Sequence, residues 1–366
     1  MINNKKIIYV AGARPNFVKL ANVLKESKIK GISSLFVHTG QHYSKEMSDI
    51  FFEELNINNP DINLEVGSNT HGRQTAEIMM KFEPILIKYK PEIVVVVGDV
   101  NSTLACSLVA SKMNIKIAHI EAGLRSFDEY MPEEINRKLT DTISDFLFVS
   151  EESGIINLRK EGIEESKIHF VGNVMIDTLI SNIDKINKSN ILEKMSLMKN
   201  KYIVTTFHRP SNVDNKSSLK KIINILEKFS VNNKVVFPLH PRTLFSIEKH
   251  KLKKYIDNLS NVIIINSLGY LDFMKLVSES KMVITDSGGI QEETTFLKIP
   301  CFTIRENTER PSTISIGTNH LVNADFESIC KKYDKFLLNK SKYKCPDLWD
   351  GKSSKRIIEI LHKNLN

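Results

Sequence analysis

Short apolar, β-branched runs alternate with stretches of helical periodicity along this chain, and the whole pattern occurs twice. Ile7 to Val10, Leu35 to Thr39, Ile93 to Val97, Lys116 to Ile120 and Phe146 to Val149 read as buried strands. Between the first two, Phe17, Leu20, Ala21 and Leu24 recur at i, i+3, i+4 and i+7, the spacing of an amphipathic helix. Pro15 sits in its first turn, where a helix tolerates proline. Thr103 to Met113 gives another helix, rich in Ala, Leu and Val. The alternation predicts a parallel sheet with helices on both faces.

The second set comprises Tyr202 to Thr206, Val235 to Pro238, Val262 to Ile265, Met282 to Thr285 and Cys301 to Ile304. Asp184 to Lys201, rich in Asn, Lys and Ser, lies between the sets, and the boundary is expected just before it, near Gly172 to Thr178. The expected domains are therefore 1–172 and 173–350, both Rossmann-like and doubly wound. Residues 351–366 form a closing helix that returns to the first domain. In such sheets ligands bind outside the carboxyl ends of the strands, so the site is expected in the cleft between the domains. A chain of 366 residues has room for about two domains.

Composition narrows the function by exclusion. With 41% hydrophobic and 26% charged residues the chain is globular rather than disordered. The net charge of +8 permits an anionic partner, but the lysines are scattered over what read as solvated helix faces, so no nucleic-acid partner is expected. Cys106, Cys301, Cys330 and Cys345 lie far apart without CxxC spacing, which argues against a zinc ribbon or thioredoxin-type motif and for thiols in a reducing compartment. Ile93 to Val97, the densest apolar run, is far too short to span a bilayer, and no signal-peptide pattern opens the chain. A cytoplasmic protein without a membrane partner is expected.

Five motifs follow strands. Gly12-Ala13-Arg14-Pro15-Asn16-Phe17-Val18-Lys19 is not GxGxxG, so a dinucleotide is not indicated. Arg14 and Lys19 instead place two cations beside a helix start, where phosphate or carboxylate binds. In Gly98-Asp99-Val100-Asn101-Ser102-Thr103, Asp99 is either a helix cap or a chemical group, since Ser102 or Thr103 could cap in its place. His119 to Ser126 and Met131 to Arg137 bring Glu121 at a strand end and Glu133 and Glu134 in a first helical turn; capping accounts for one of the latter two. Several carboxylates converging on one cleft are what proton transfer needs. His208-Arg209 and His240-Pro241-Arg242 put His and Arg at two strand ends of the second domain. Thr285-Asp286-Ser287-Gly288-Gly289, with Glu293 a turn later, offers glycine N–H groups to a phosphate and a carboxylate to a ribose. Thr308-Glu309-Arg310-Pro311 adds a cation. No metal-ligand spacing such as HExxH occurs, so no metal is expected. A nucleoside-diphosphate ligand with acid–base chemistry on its cargo is the natural occupant.

In their order and spacing GARPNFVK, HTGQHY, GDVNSTLA, HIEAGLRS, MPEEINR, VGNVMIDT, FHRPSN, PLHPRT, TDSGGIQEE and TERP make the chain resemble the non-hydrolysing UDP-N-acetylglucosamine 2-epimerases, from Gly12 to about Gly317. The resemblance implies the glycosyltransferase-B fold and reversible conversion of UDP-GlcNAc to UDP-ManNAc through 2-acetamidoglucal, without a redox cofactor. It also implies a supply of ManNAc for surface polysaccharide. UDP-GlcNAc, UDP-ManNAc and UDP would be the ligands of a homodimer. By matching motifs it implies Asp99, Glu121 and Glu133 as the acid–base set and Lys19 and His208 as their helpers. Arg14, His240, Ser287, Gly288, Gly289 and Arg310 would line the UDP site, with Glu293 on the ribose. An activating second UDP-GlcNAc would meet Gln41, His42, Arg73, Gln74, Glu133 and Arg209. Regulated members read His-Arg-Arg-Glu-Asn where this chain has His208-Arg209-Pro210-Ser211-Asn212, and Pro210 removes a cation and a backbone donor. Rivals are an epimerase of a related sugar such as UDP-2,3-diacetamido-glucuronate, a hydrolysing epimerase, a glycosyltransferase and an inactive binding module. Arg310-Pro311 after Thr308-Glu309 favours the GlcNAc enzyme, and Pro15-Asn16, where the hydrolysing relatives carry Asp, disfavours hydrolysis.

Overall fold

A computed structural model describes residues 6–40 and 45–365. The chain divides into two compact units, residues 1–181 with 347–366, and residues 182–346. The first is built on a seven-stranded, wholly parallel sheet. Its strands are β1 (Ile7–Ala11), β2 (Ser34–His38), β3 (Ile62–Asn63), β4 (Ile93–Val97), β5 (Lys116–Ala122), β6 (Phe146–Val149) and β7 (Ile168–Phe170), ordered β3-β2-β1-β4-β5-β6-β7. The second unit holds β8 (Tyr202–Thr206), β9 (Lys234–Pro238), β10 (Val262–Ile265), β11 (Met282–Thr285), β12 (Cys301–Ile304) and β13 (Asn319–Val322), ordered β10-β9-β8-β11-β12-β13. Each sheet is wound outward from its first strand in both directions, so strand order reverses at β1/β4 and at β8/β11. That reversal point is where doubly wound sheets bind ligands.

The runs of Ile and Val form central strands because helices cover both faces. Val94 and Val96 pack with Ile78, Phe82 and Leu86 of the His71–Tyr89 helix and with Ala105, Val109 and Ala110 of the Asn101–Lys112 helix. In the second unit Ile203, Phe237 and Ile284 pack with Ile222, Leu226 and Phe229 of the Lys216–Ser230 helix. Strands β3, β7 and β13 are absent from the sequence reading; β3 and β7, with two and three residues, are too short to show a period, and all three are edge strands.

The expected boundary at Gly172 is corrected to Ser181, and the return to the first unit begins at Asp347 rather than at 351. Local bonding explains both shifts. The Val174–Ser181 helix belongs to the first unit because Thr178 donates to the Val18 carbonyl at 2.7 Å and Asn22 to Ser181 at 3.0 Å. Trp349, buried, donates its indole N–H to the Ser150 carbonyl at 3.0 Å. Asp177 accepts from the backbone N–H groups of Ser353 and Ser354 at 3.2 and 2.6 Å, which caps the closing helix Ser353–Lys363. That helix buries Ile357, Ile358 and Leu361 in the first unit. Among the described residues no helix is long and apolar enough to cross a membrane.

Candidate active site

In the first unit, the register of the sheet brings two of the expected carboxylates together. Val97 of β4 is paired with Ile120 of β5, so Gly98-Asp99 and Glu121 are the next steps on adjacent strands. The Gly98 N–H donates to the Ile120 carbonyl at 3.0 Å. Gly98 takes φ +70°, and a Cβ there would meet Lys19 Nζ at 3.2 Å and Asn16 Nδ2 at 3.4 Å, so a side chain would be both strained and crowded. Beyond Ile120 the β5 register slips, and Glu121 itself stands at φ +72°. A non-glycine residue in the left-handed region is a costly conformation, and such strain gathers at functional positions. Lys19 forms a buried ion pair with Glu121. The lysine read as a cation for a helix-start anion is thus directed to a carboxylate.

Asp99 does not cap. The Asn101–Lys112 helix has Val100 at its N-cap, without a side-chain bond. The Asp99 carboxylate pairs with Arg137, and its carbonyl accepts from Asn136 Nδ2 at 2.9 Å. Both partners come from the Pro132–Ile143 helix, whose first turn carries Glu133 and Glu134. The structure separates these two. Glu134 is fully buried and accepts from the Ser126 N–H and Oγ at 2.9 Å, the Phe127 N–H at 3.1 Å and Arg137 at 2.9 Å, so it holds the preceding loop. Glu133 is partly exposed and takes no part in that network.

Arg14 opens the Arg14–Ile29 helix, partly exposed, and burial holds its guanidinium below the ordinary range. The helix start is closed by Asn16, whose Oδ1 accepts from the Gly12 and Ala13 N–H groups at 3.0 and 2.9 Å. Of the residues expected at a second UDP-sugar site, Gln41 and His42 lie outside the described residues. Arg73 is exposed, whereas Gln74 is buried, donating to the Gly67 carbonyl at 2.7 Å and accepting from Asn101 at 2.8 Å. A cavity of about 430 Å³ adjoins them, lined by His71, Met79, Asn101, Pro132 and Ile135 among others.

The second unit repeats the device with other residues. Thr206 of β8 is paired with Thr285 of β11, so Asp286 sits beside the start of the His208 loop. Asp286 is fully buried and accepts from the His208 and Arg209 N–H groups at 3.1 and 3.0 Å, Asn212 Nδ2 at 3.1 Å and His208 Nδ1 at 3.0 Å. Burial would push this carboxyl up, but the hydrogen bond and charge of His208 and the backbone donors hold it below the usual range. The Nδ1 contact directs Nε2 of His208 away from Asp286, with the His240 ring 5.3 Å off, centroid to centroid. His240 also caps its own helix, accepting from the Arg242 N–H at 3.2 Å.

Ser287 is the N-cap of the Gly288–Leu297 helix. A Cβ on Gly288 would meet Glu309 Oε1 at 2.8 Å and Arg310 Nη1 at 3.1 Å, so the glycine allows these side chains to lie against the helix start. Arg310 is buried and pairs with Glu292 at 2.9 Å and Glu309 at 2.7 Å. It is therefore a cation with two counter-ions. Glu293 is buried beneath the same turn, and desolvation, reinforced by Glu292, raises its carboxyl to about 8. Asp286, Asn136 and Arg137 lie in motifs named above but carry no role there, and Glu134 is named there only beside Glu133; the partners of all four are set by tertiary packing.

Two doubly wound parallel units, one ending its strands in carboxylates and the other in a Ser-Gly-Gly helix start among His, Arg and Glu, define a nucleotide-sugar enzyme of the glycosyltransferase-B fold. The sequence profile of the UDP-N-acetylglucosamine 2-epimerase family matches residues 25–362, and the chain belongs to that family of isomerases. A UDP-N-acetylglucosamine 2-epimerase homolog of Methanococcus maripaludis is 48% identical, covering 97% of this chain and 99% of its own. The crystal structure of the Methanocaldococcus jannaschii UDP-GlcNAc 2-epimerase in complex with UDP-GlcNAc and UDP superposes with a TM-score of 0.91 at 42% identity, over 98% of this chain and 99% of that one. The UDP-2,3-diacetamido-2,3-dideoxy-D-glucuronate 2-epimerase of Pseudomonas aeruginosa is 41% identical over 98% of this chain and 99% of that protein.

Proposed function

We propose that the chain interconverts UDP-GlcNAc and UDP-ManNAc by eliminating and re-adding UDP. A carboxylate removes the proton on carbon 2, the bond from carbon 1 to the phosphate oxygen breaks with its electron pair leaving on UDP, and 2-acetamidoglucal forms. Protonation of carbon 2 on the opposite face, with return of the UDP oxygen to carbon 1, completes the inversion. The carbon 2 proton is not adjacent to a carbonyl, so its removal depends on positive character developing at carbon 1 as UDP departs. Donors around the diphosphate stabilise that departure. An acid or base on each face calls for more than one carboxylate.

The observation that carries the reading is the placement of Asp99 and Glu121 at adjacent strand ends, with Glu133 on the helix that grips Asp99. In this proposal Asp99, Glu121 and Glu133 are the acid–base set, and Lys19 tunes Glu121. His208, oriented by Asp286, serves the departing diphosphate together with Arg14, Arg310, His240 and the N–H groups at Ser287, Gly288 and Gly289; Glu293 receives the ribose. The enzyme would work as a cytoplasmic homodimer supplying ManNAc units for surface polysaccharide. A second UDP-GlcNAc at Arg73, Gln74 and Arg209 belongs to the same proposal, weakened by Pro210.

Incubation with UDP-GlcNAc in deuterated water tests the chemistry. Deuterium at carbon 2 of both recovered UDP-sugars is expected, and Asp99→Asn abolishes it while UDP still binds. Free ManNAc would identify a hydrolase, and an unchanged sugar would point to another substrate or to a transferase. The Pseudomonas relative gives a specific second reading, namely the diacetamido-glucuronate substrate. It prevails if that UDP-sugar exchanges faster than UDP-GlcNAc.

A further inference from the structure

The Pro132–Ile143 helix that carries Glu133 and grips Asp99 also ends in a fully buried carboxylate, Asp141, outside every role assigned above. Its Oδ1 stands 2.6 Å from Nδ1 of the equally buried His119. Its Oδ2 accepts from the Gly123 N–H at 3.0 Å and pairs with Arg125 at 2.7 Å. Arg125 in turn holds Glu161 through Nε at 2.8 Å and Nη2 at 2.6 Å. The second ring nitrogen of His119 lies 2.7 Å from the Gly98 carbonyl oxygen. A neutral imidazole has a single N–H, yet here a carboxylate and a carbonyl, both acceptors, face the two nitrogens. The ring thus bridges the Asp141 carboxylate and the Gly98 carbonyl. Burial alone would push the Asp141 carboxyl up; His119 and then Arg125 hold it below the ordinary range.

Two candidate acid–base residues hang on this chain of contacts. Gly98 is clamped on both sides by β5, its N–H on Ile120 and its carbonyl on His119, and Asp99 is the next residue. Gly123 closes the slipped turn in which Glu121 is held at φ +72°. We propose that Asp141 is a positioning residue of the epimerisation: through His119 and the Gly98 carbonyl it fixes the placement of Asp99, and through the Gly123 N–H that of Glu121. The inference rests on the acid–base reading of those two residues.

Asp141→Asn in the full-length protein keeps the volume and removes the charge. Since misplacing a reacting group by about 1 Å costs on the order of 100-fold, kcat and carbon 2 deuterium exchange are expected to fall by about that factor while the KM for UDP-GlcNAc stays within about twofold. That fall in kcat at nearly constant KM is a split that a merely structural role would not produce. A folded Asp141→Asn enzyme with wild-type kcat overturns the proposal. Should Asp141→Asn fail to fold, His119→Gln decides by the same kinetic criterion. Asp99→Asn separates the two levels. If it turns over normally, the acid–base reading itself fails. If it is inactive beside a normal Asp141→Asn, only the positioning role fails.

Discussion

Glu293 illustrates how burial alone gives a side chain its character. Nothing in Gln291-Glu292-Glu293 distinguishes its second glutamate, yet desolvation, with the Glu292 charge adding to it and Tyr270 opposing, raises Glu293 from 4.5 to about 8. An unfolded chain releases this proton near 4.5, whereas the folded protein keeps it to about 8. Between those values the native state binds more protons, so this group's contribution to stability is complete at low pH and is lost as pH rises through about 8. Glu293→Gln removes the linkage. Its thermal midpoint relative to wild type should therefore rise between pH 5 and pH 8, and a difference that does not change with pH would contradict the burial argument. A carboxylate made available to a ribose only when a ligand supplies donors is also consistent with the proposed UDP role.

At the scale of the element, the end of β5 does most to place the carboxylates of the first unit. Two residues in three, Glu121 and Gly123, have positive φ, and the register with β6 shifts between Ile120 and Ala122. Extra residues at strand ends re-aim side chains, and here the slip redirects Glu121 towards Lys19. Gly123 makes the turn possible: at φ +80° a Cβ would lie 2.4 Å from the Gly154 carbonyl oxygen. Gly123→Ala is expected to destabilise the protein by roughly 2 kcal/mol, combining backbone strain with a backbone clash. Urea unfolding measures it, and a loss below about 0.5 kcal/mol, the size of an ordinary surface change, would show the turn to be more tolerant than its geometry implies.

For the whole molecule, the decisive feature is that the chain returns to its first unit at Asp347. The returning segment is tied in by Trp349 on Ser150, by Asp177 at the start of the closing helix, and by the burial of Ile357, Ile358 and Leu361. Three such side chains contribute about 1.5–3 kcal/mol each, comparable to the entire margin of about 5–15 kcal/mol that keeps a protein folded. Deleting residues 352–366 should leave residues 1–181 open to limited proteolysis while residues 182–346 resist it. Equal resistance of both segments would show that the closing helix is dispensable. Asp177→Ala, which removes two caps, should cost a further measurable share of about 1–2 kcal/mol.

Much of this organisation is legible in the sequence because its causes are local. Runs such as Ile93 to Val97 can be buried only in a covered strand, glycines follow where the backbone must turn, and a carboxylate just past a strand reaches the ligand-binding edge of a doubly wound sheet whatever else surrounds it. Local patterns could not show what each charge would meet. Lys19 finds Glu121 across 102 residues and Arg137 finds Asp99 across 38, while Asp286 gathers donors from a loop 74 to 78 residues away. Linear pattern suffices for two wound sheets and for the residue types at their strand ends. Only the tertiary structure decided which of those acids are gripped, which are strained and which stay buried and protonated, because ion pairing and desolvation depend on neighbours in space, and a linear pattern of hydrophobicity carries no record of those neighbours.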